Sequence, residues 1–405
     1  MEEVKDREPL DFPIPRQCPM HAPREYDTFR RQTRPAKVRF WNGNEAWIFT
    51  KYSQVKSILS DNRFSVVPTR SGFPSLSPGR DAITLNDPTF LRLDPPEHDV
   101  HRRMVTKEFM VKNIAAMKPH LAEIVDELLT EMERKGPPSD LVQDLALPLT
   151  SRVITDMLGV PYADREFFNE QSRIKAINTS DPSIPLAAQA ATLAYLDNLL
   201  REREANPGQH DDLIDRLVRD HVLPGHLSHD LAVKMCDLMM MAGHETTANQ
   251  ICLGVMAFVE HPEQLKKLRA DPDLLPNAIE EMLRYHTIVQ FNGMRLALED
   301  VEIDGHVIKE GEGVLAMITG ANHDPEMFDD PNTFDIGRDT TGHIAFSFGV
   351  HQCLGQNLAR AELEAVFSVI FDRLPNLRLA TDTNKLQYKT ESIVMGVESL
   401  PVAWG

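Results

Sequence analysis

The residue whose surroundings most plainly invite chemistry is Cys353. It stands in Phe346-Ser347-Phe348-Gly349-Val350-His351-Gln352-Cys353-Leu354-Gly355, directly ahead of the run LGQNLARAELEAVFSVIFDRL. Apolar residues at 358, 363, 366, 367 and 370 give that run helical periodicity, so Cys353 sits at or just before a helix start. Backbone N–H groups and a helix N-terminus favour the thiolate, which is the metal-binding and nucleophilic form of cysteine. Gly349 and Gly355 would let backbone pass close to a bulky flat group, and Phe346 and Phe348 could cover its face. The bland alternative is a small buried hydrophobe, and Cys18, Cys236 and Cys252 are expected to be that.

A second candidate site interrupts a long apolar run. Residues 231–259 contain no proline and would span roughly 40 Å as one helix. Met235, Leu238, Met239, Met240, Met241 and Ala242 make it apolar on nearly every side, which suits an interior. Gly243-His244-Glu245-Thr246-Thr247 then breaks local rules with a glycine, an acid and two β-branched residues. Such a break inside an otherwise consistent element marks either a functional site or a face turned to solvent. His244 has no second ligand of suitable type at i+3 or i+4, so it is read as a packing group, as is Thr247.

Two further clusters are charged. Glu281 and Arg284 lie three apart in LPNAIEEMLRYH, where an acid and a base share a helix face and by pattern alone could be a solvated pair. His98, Arg102 and Arg103 lie in DPPEHDVHRR, which alone could be an ordinary basic helix start.

Together these segments resemble the soluble, bacterial-type cytochromes P450. The spacing F-x-x-G-x-x-x-C-x-G over 346–355 matches the haem-binding loop of that family, and the other three clusters follow in register from about Phe12 to the C-terminus. The resemblance implies haem b with Cys353 as its axial thiolate ligand, a ligation that favours O–O cleavage. It implies that Phe346, Gly349, His351, Gly355, Ala242 and Gly243 lie around the haem, with Gly243 leaving room above iron and allowing a local widening of the helix. His98, Arg102, Arg295 and His351 are implied partners of the two propionates, which need charge-assisted bonds in an interior. Glu245 and Thr246 occupy the family's acid–alcohol pair, which delivers protons to dioxygen. Glu281, Arg284 and Arg338 match its buried structural triad. Within the family the Cys353 segment is similar to streptomycete-type monooxygenases, while TRSGFPSLS and RYHTIVQ are similar to fungal nitric oxide reductases.

The elements that must position these residues read as mostly helix. Helical patterns run over 51–60, 100–134, 140–158, 186–204, 211–220, 229–260, 263–270, 275–286 and 355–374. Strand-like runs occur at 37–40, 46–49, 300–308 and 313–317, with extended pieces after Leu386. That is a mainly α chain with a small β portion, and the resemblance implies the P450 fold as a single domain over residues 1–405. It also places substrate-cavity walls at 66–93, 175–190, 238–246, 287–293 and near 393–394. Phe73, Met239, Ile288, Val289, Phe291, Ile393 and Val394 suit a small to mid-sized lipophilic compound, although several could equally be core, and Gln290 and Asn292 are candidate polar contacts.

Composition agrees with a large enzyme, since 42% hydrophobic residues are enough for a sizeable core. The net charge of −18 argues against nucleic-acid binding. An acidic N-terminus without an apolar segment, and no stretch near 18 apolar residues, point to a cytoplasmic protein without a membrane anchor. Four cysteines without paired spacing suit a reducing compartment. Arg103, Lys107, Lys112 and Arg360 are either scattered solvated charges or a basic patch that steers an acidic ferredoxin (a flavodoxin is the alternative carrier) to the thiolate side.

The expected activity is oxygenation: electrons pass from NAD(P)H through ferredoxin reductase and ferredoxin, and a C–H bond is hydroxylated. Nitric oxide reduction with hydride from NAD(P)H is the alternative within the family, whose reductases lack the acid before the threonine. A ligand binder without turnover is the third, and has no use for proton delivery.

Overall fold

A computed structural model describes residues 8–17, 20–85, 89–291 and 293–405. Its helices in chain order are α1 (Glu25–Arg30), α2 (Tyr52–Ser60), α3 (Pro78–Thr84), α4 (Glu97–Thr106), α5 (Val111–Lys135), α6 (Leu147–Leu158), α7 (Arg165–Ala176) and α8 (Ser183–Ala205). They continue with α9 (Leu213–Leu217), α10 (His229–Glu260), α11 (Pro262–Ala270), α12 (Leu275–His286), α13 (Ile318–Asn322), α14 (Gln356–Phe367) and α15 (Ile370–Arg373). Among the described residues no helix is long and apolar enough to cross a membrane.

Local chemistry explains where several of these begin and end. The Ser228 side chain accepts from the Leu231 amide and so starts α10, and the Ser77 hydroxyl does the same for α3 with Pro78 behind it. In α12 the buried Ala278, Ile279, Met282, Leu283 and His286 keep helical spacing, and Thr287 ends the helix at φ 41°.

The β portion is small. Strands β1 (Leu10–Asp11), β2 (Ala36–Arg39), β3 (Glu45–Phe49), β4 (Phe64–Ser65), β5 (Ser139–Asp140) and β6 (Met294–Ala297) are followed by β7 (Val301–Ile303), β8 (His306–Ile308), β9 (Gly313–Ala316), β10 (Arg378–Leu379) and β11 (Pro401–Ala403). Six of them form one sheet in the order β1-β2-β3-β9-β6-β4, while β10-β11-β5 and the β7–β8 hairpin stand apart. In the large sheet β3 runs parallel to β9, and β6 antiparallel to β9 with Arg295 opposite Val314.

The main core wraps α10, most of which is buried, together with apolar faces of α5, α6, α8, α12 and α14. A second cluster lies under α2 on the sheet, and a third joins Phe12, Tyr26 and Phe40 to Phe291. Cys236 and Cys252 are buried in the main core, whereas Cys18 lies outside the described residues. The acid Asp237 within α10 is neutralised by Lys175 at 2.6 Å, with Thr192 also touching that ammonium.

Three expectations are corrected. The pattern over 100–134 is two helices, because the chain turns at Lys107–Phe109 and Met110 is extended, with Asn113 bonding the Lys107 carbonyl across the break. The run 300–308 is the β7–β8 hairpin, closed by Asp304 and Gly305 at positive φ, an Asp-Gly turn visible in the sequence. Strand β6 and helices α1, α3 and α7 had no predicted counterpart.

Candidate active site

The Cys353 loop is held by its own backbone. Ser347 (φ 65°) and Gly349 (φ 76°) turn the chain, the Cys353 amide donates to the Phe346 carbonyl at 2.8 Å, and α14 starts three residues later. Gly349 is required for protein packing, because a Cβ there would drive into the Leu59 carbonyl at the end of α2. A Cβ on Gly355 would meet no protein atom. Phe346 lies under the Arg360 guanidinium at 4.6 Å, while Phe348 stacks under Lys56 and packs on the sheet-side cluster instead. The Cys353 side is open. Surrounding protein pushes its thiol up, and the Gly355 amide, Arg102 and Arg360 act in the opposite direction.

Around this loop cationic groups converge. The His98 and His351 rings lie 4.3 Å apart, and Arg102 donates to the Gln352 carbonyl at 2.6 Å, next to Cys353. His98 bonds Asp99 through Nδ1, and its Nε2 is buried without a partner. Arg295 reaches the group from β6. Burial and the charges of Arg295, His98, Arg102 and Arg92 push His351 down, and burial with Arg92 pulls Arg295 down to about 10. Arg92, at the end of the turn Phe90–Arg92, is a member the sequence did not reveal, since no spacing ties it to His98. Like charges and an orphaned donor gathered this closely call for carboxylates, so the donor set fits two propionates.

On α10 the accessible face is narrow. Ala242 is exposed and Met241, Gly243 and Thr246 are half-buried, while His244, Glu245 and Thr247 are buried. The Thr246 hydroxyl donates to the Ala242 carbonyl at 2.8 Å. Two expectations change here. The helix is α throughout 229–260 with no widening, and the missing side chain of Gly243 makes room for Ile154 of α6, whose Cδ1 would stand 2.7 Å from a Cβ. His244 is a packing group, bonded through Nδ1 to the Met240 carbonyl.

Glu245 is buried and ion-paired with Lys389 at 2.7 Å. Lys389 comes from a C-terminal turn in which its amide donates to the Gly396 carbonyl. That turn presses on α10 so tightly that a Cβ on Gly396 would strike the Asn249 side chain. No sequence signal marks Lys389, which is 144 residues from its partner. Glu362 of α14 is a buried carboxyl whose oxygens meet no hydrogen-bond partner among the described residues, and burial pushes it well above the ordinary range, with Thr247 only partly opposing.

Behind α14 a charge network is buried. Arg284 grips Glu281 with two bonds of 2.7 and 2.9 Å and donates to the Asn322 and Pro331 carbonyls. Arg338 adds a third contact to Glu281 at 3.3 Å. Glu280 takes Arg360 at 2.6 Å and His343 at 2.7 Å, which holds its carboxyl at about 2. Arg360 is therefore spent on Glu280 and is not part of a free basic patch, whereas Arg103, Lys107 and Lys112 are exposed.

The lipophilic candidates separate. Met239, Ile288 and Val394 belong to the main core, with Val289 and Ile393 packed against it, and Val289 pairs with Val394 in an isolated bridge. Phe291 packs edge-on against Phe12 at 5.5 Å in the third cluster, so it is core. Phe73 lines a cavity of about 290 Å³ between loop 68–76, α3 and the sheet. Gln290 holds backbone, donating to the Ser392 carbonyl and accepting from Arg16. Asn292 lies outside the described residues.

The family model described as Cytochrome P450 matches residues 23–400. Vitamin D3 dihydroxylase of Streptomyces griseolus is 41% identical over 97% of this chain and 96% of its own length. Cytochrome P450 55A3 of Fusarium lichenicola is 37% identical, covering 97% of each. The crystal structure of mycinamicin VIII C21 methyl hydroxylase from Micromonospora griseorubida, bound to mycinamicin VIII, superposes with a TM-score of 0.92 at 38% identity, covering 98% of this chain and all of that one.

Proposed function

The chain belongs to the cytochrome P450 family and has its mainly α fold with a small β part, and from that premise we propose that it is a monooxygenase hydroxylating a small to mid-sized lipophilic substrate with dioxygen. Relatives are named hydroxylases and monooxygenases, and the chain is an oxidoreductase like them. The proposal includes electrons from NAD(P)H through a ferredoxin reductase and ferredoxin or flavodoxin, a cytoplasmic location, and one domain over residues 1–405.

Proteins of this family bind haem iron through a cysteine thiolate. Cys353 is the proposed ligand here, with His98, Arg102, Arg295 and His351 on the propionates and Arg92 supporting them. When bound, the haem supplies the oxygen-activating and electron-accepting chemistry.

The protein's own part is to keep the thiolate, exclude charge from the oxygen side and move protons. Burial raises the Cys353 thiol, and the Gly355 amide with the guanidinium groups of Arg102 and Arg360 offsets part of that rise in favour of the ionised sulfur. Thr246 both donates and accepts through one hydroxyl, and its donation to the Ala242 carbonyl leaves the oxygen lone pairs for an incoming proton donor. Glu245, its chain neighbour, is the acid of the relay, and Lys389 holds that carboxylate in an interior that would otherwise reject it. The observation that carries the reading is this pair: an acid and an alcohol at adjacent positions of α10, where Met241, Ala242, Gly243 and Thr246 open an otherwise buried stretch. Ligand binding without turnover would need neither. Nitric oxide reduction, suggested by the likeness to the fungal relatives, is disfavoured by the presence of Glu245 itself, the acid before the threonine that those reductases lack.

Thr246→Ala tests the proposal. With a turned-over substrate, NADH consumption should continue while product per NADH falls by at least about tenfold. Unchanged coupling would overturn the proton-delivery role. Cys353→Ser should abolish the thiolate signature of the reduced carbonyl complex, and an unaltered spectrum would remove Cys353 as ligand.

A further inference from the structure

The cavity beside Phe73 has an unusual wall. It is lined by Arg70, Arg80 and Arg92, with Asp81 as the one acid among the described lining residues. In a protein of net charge −18, three arginines on one cavity of about 290 Å³ are a local inversion of sign.

Arg80 is the informative member. It is 6% exposed, and it takes part in no ion pair among the described residues. Its one side-chain bond is Nη1 to the Lys175 carbonyl, at 2.6 Å, which leaves the rest of the guanidinium fork for other acceptors. A buried cation with no direct ion pair is costly unless a closer counter-charge arrives. Burial and Arg92 pull it down to about 10, so it remains charged at neutral pH. Asp81 offsets that charge only in part and makes no direct ion pair with it. It accepts from Ser75, which itself accepts from Trp41 Nε1. Arg70 is half-exposed at the cavity's edge and meets Asp94 only at 3.7 Å.

We propose that this cavity receives the carboxylate end of an amphipathic acid, with Arg80 as the buried counter-charge, Arg70 as the outer one, and Phe73, Leu76 and Met294 against the adjoining hydrocarbon. The planar fork of arginine suits a carboxylate, and Asp81 in the same wall disfavours a group carrying two charges. Lys175, whose carbonyl anchors Arg80, stands in the segment 175–190 that flanks the expected cavity, so the acid end would fix how the rest of the molecule enters. This deepens the monooxygenase reading and rests on it for the fate of the bound acid.

Calorimetric titration of the haem-loaded full chain tests it with dodecanoate, dodecanol and dodecyltrimethylammonium, whose nitrogen has no lone pair for iron. Dodecanoate should bind about tenfold or more tighter than dodecanol, and dodecyltrimethylammonium weakest. Arg80→Gln should erase the preference for the acid while leaving dodecanol affinity within about twofold, and Arg80→Lys should keep part of it. Raising NaCl from about 50 to about 500 mM should weaken dodecanoate and spare dodecanol. If Arg80→Gln does not fold, Arg70→Gln and the salt series on the wild type decide, since both must weaken the acid selectively. Equal binding of acid and alcohol by the wild type, or a native-like Arg80→Gln that keeps the preference, overturns the site. Calorimetry reads binding alone. An acid-selective cavity in a protein that fails the Thr246→Ala coupling test would therefore sink the monooxygenase reading and leave the site standing.

Discussion

Lys389→Met should be the most damaging of the conservative-volume changes near the site. The substitution keeps the length of the side chain and removes the only ion-pair partner recorded for Glu245 among the described residues. Both side chains are more than nine-tenths buried and meet at 2.7 Å, so solvent does little to replace the lost charge. Breaking one side of such a pair costs about 3–5 kcal/mol, because the remaining charge stays desolvated. For 405 residues the unfolding entropy near the midpoint is about 0.85 kcal/mol per kelvin, so the melting temperature should fall by about 4–6 °C. Differential scanning calorimetry on wild type, Lys389→Met, Glu245→Gln and the double variant closes a mutant cycle. The double variant should recover about half or more of the Lys389→Met loss, since no charge is then left buried. A loss under about 1 °C, or no recovery in the double variant, would refute the assignment of Lys389 as the counter-charge.

Glu362→Gln should gain on wild type as the pH rises. The folded state holds this buried carboxyl above its usual 4.5, so above that pH folding takes up a proton and wild-type stability falls by about 1.4 kcal/mol per pH unit, a slope the glutamine lacks. Urea unfolding at pH 5 and pH 7 reads the difference, and parallel behaviour of the two proteins would place the carboxylate in its charged form. Gly349→Ala should cost about 2–3 kcal/mol, from a positive φ and a clash with the Leu59 carbonyl. Gly305→Ala, with a similar φ and nothing within 4 Å, should cost only about 1 kcal/mol. Equal losses in the two would mean that the α2 contact does not matter.

What could be read in advance follows the range of the signal. Helix α12 and helix α10 were legible almost to the residue, because apolar periodicity and, for α12, a proline near the start act within a few positions. The merged run at 100–134 failed for a related reason: both α4 and α5 turn apolar residues to the same core, so the periodic pattern continues across a break that only Met110's backbone reveals. Strand β6 was illegible because a central buried strand of four residues has no alternation to detect, and one of its residues is an arginine. At the site, the cysteine, the cationic quartet and the acid–alcohol pair could be quoted from spacing and resemblance. Arg92, Lys389 and the role of Gly243 could not, since each is fixed by a neighbour from a distant segment.

The two acids of α10 make the same point about inference from broken rules. Asp237 and Glu245 both interrupt an apolar interior helix, and both are matched by a lysine from elsewhere, Lys175 at 2.6 Å and Lys389 at 2.7 Å. As buried ion pairs they are equivalent, so a misplaced acid is not by itself the mark of chemistry. They differ in their neighbours. Asp237 touches an ammonium that also contacts the buried Thr192, and the residue that follows it on α10 is the buried Leu238, which has no group to take a proton. Glu245 precedes a threonine whose hydroxyl lies on the accessible side, one turn from the exposed Ala242. A carboxylate can pass a proton only where an acceptor can take it, and of the two acids only Glu245 has a hydroxyl as its chain neighbour on the accessible side.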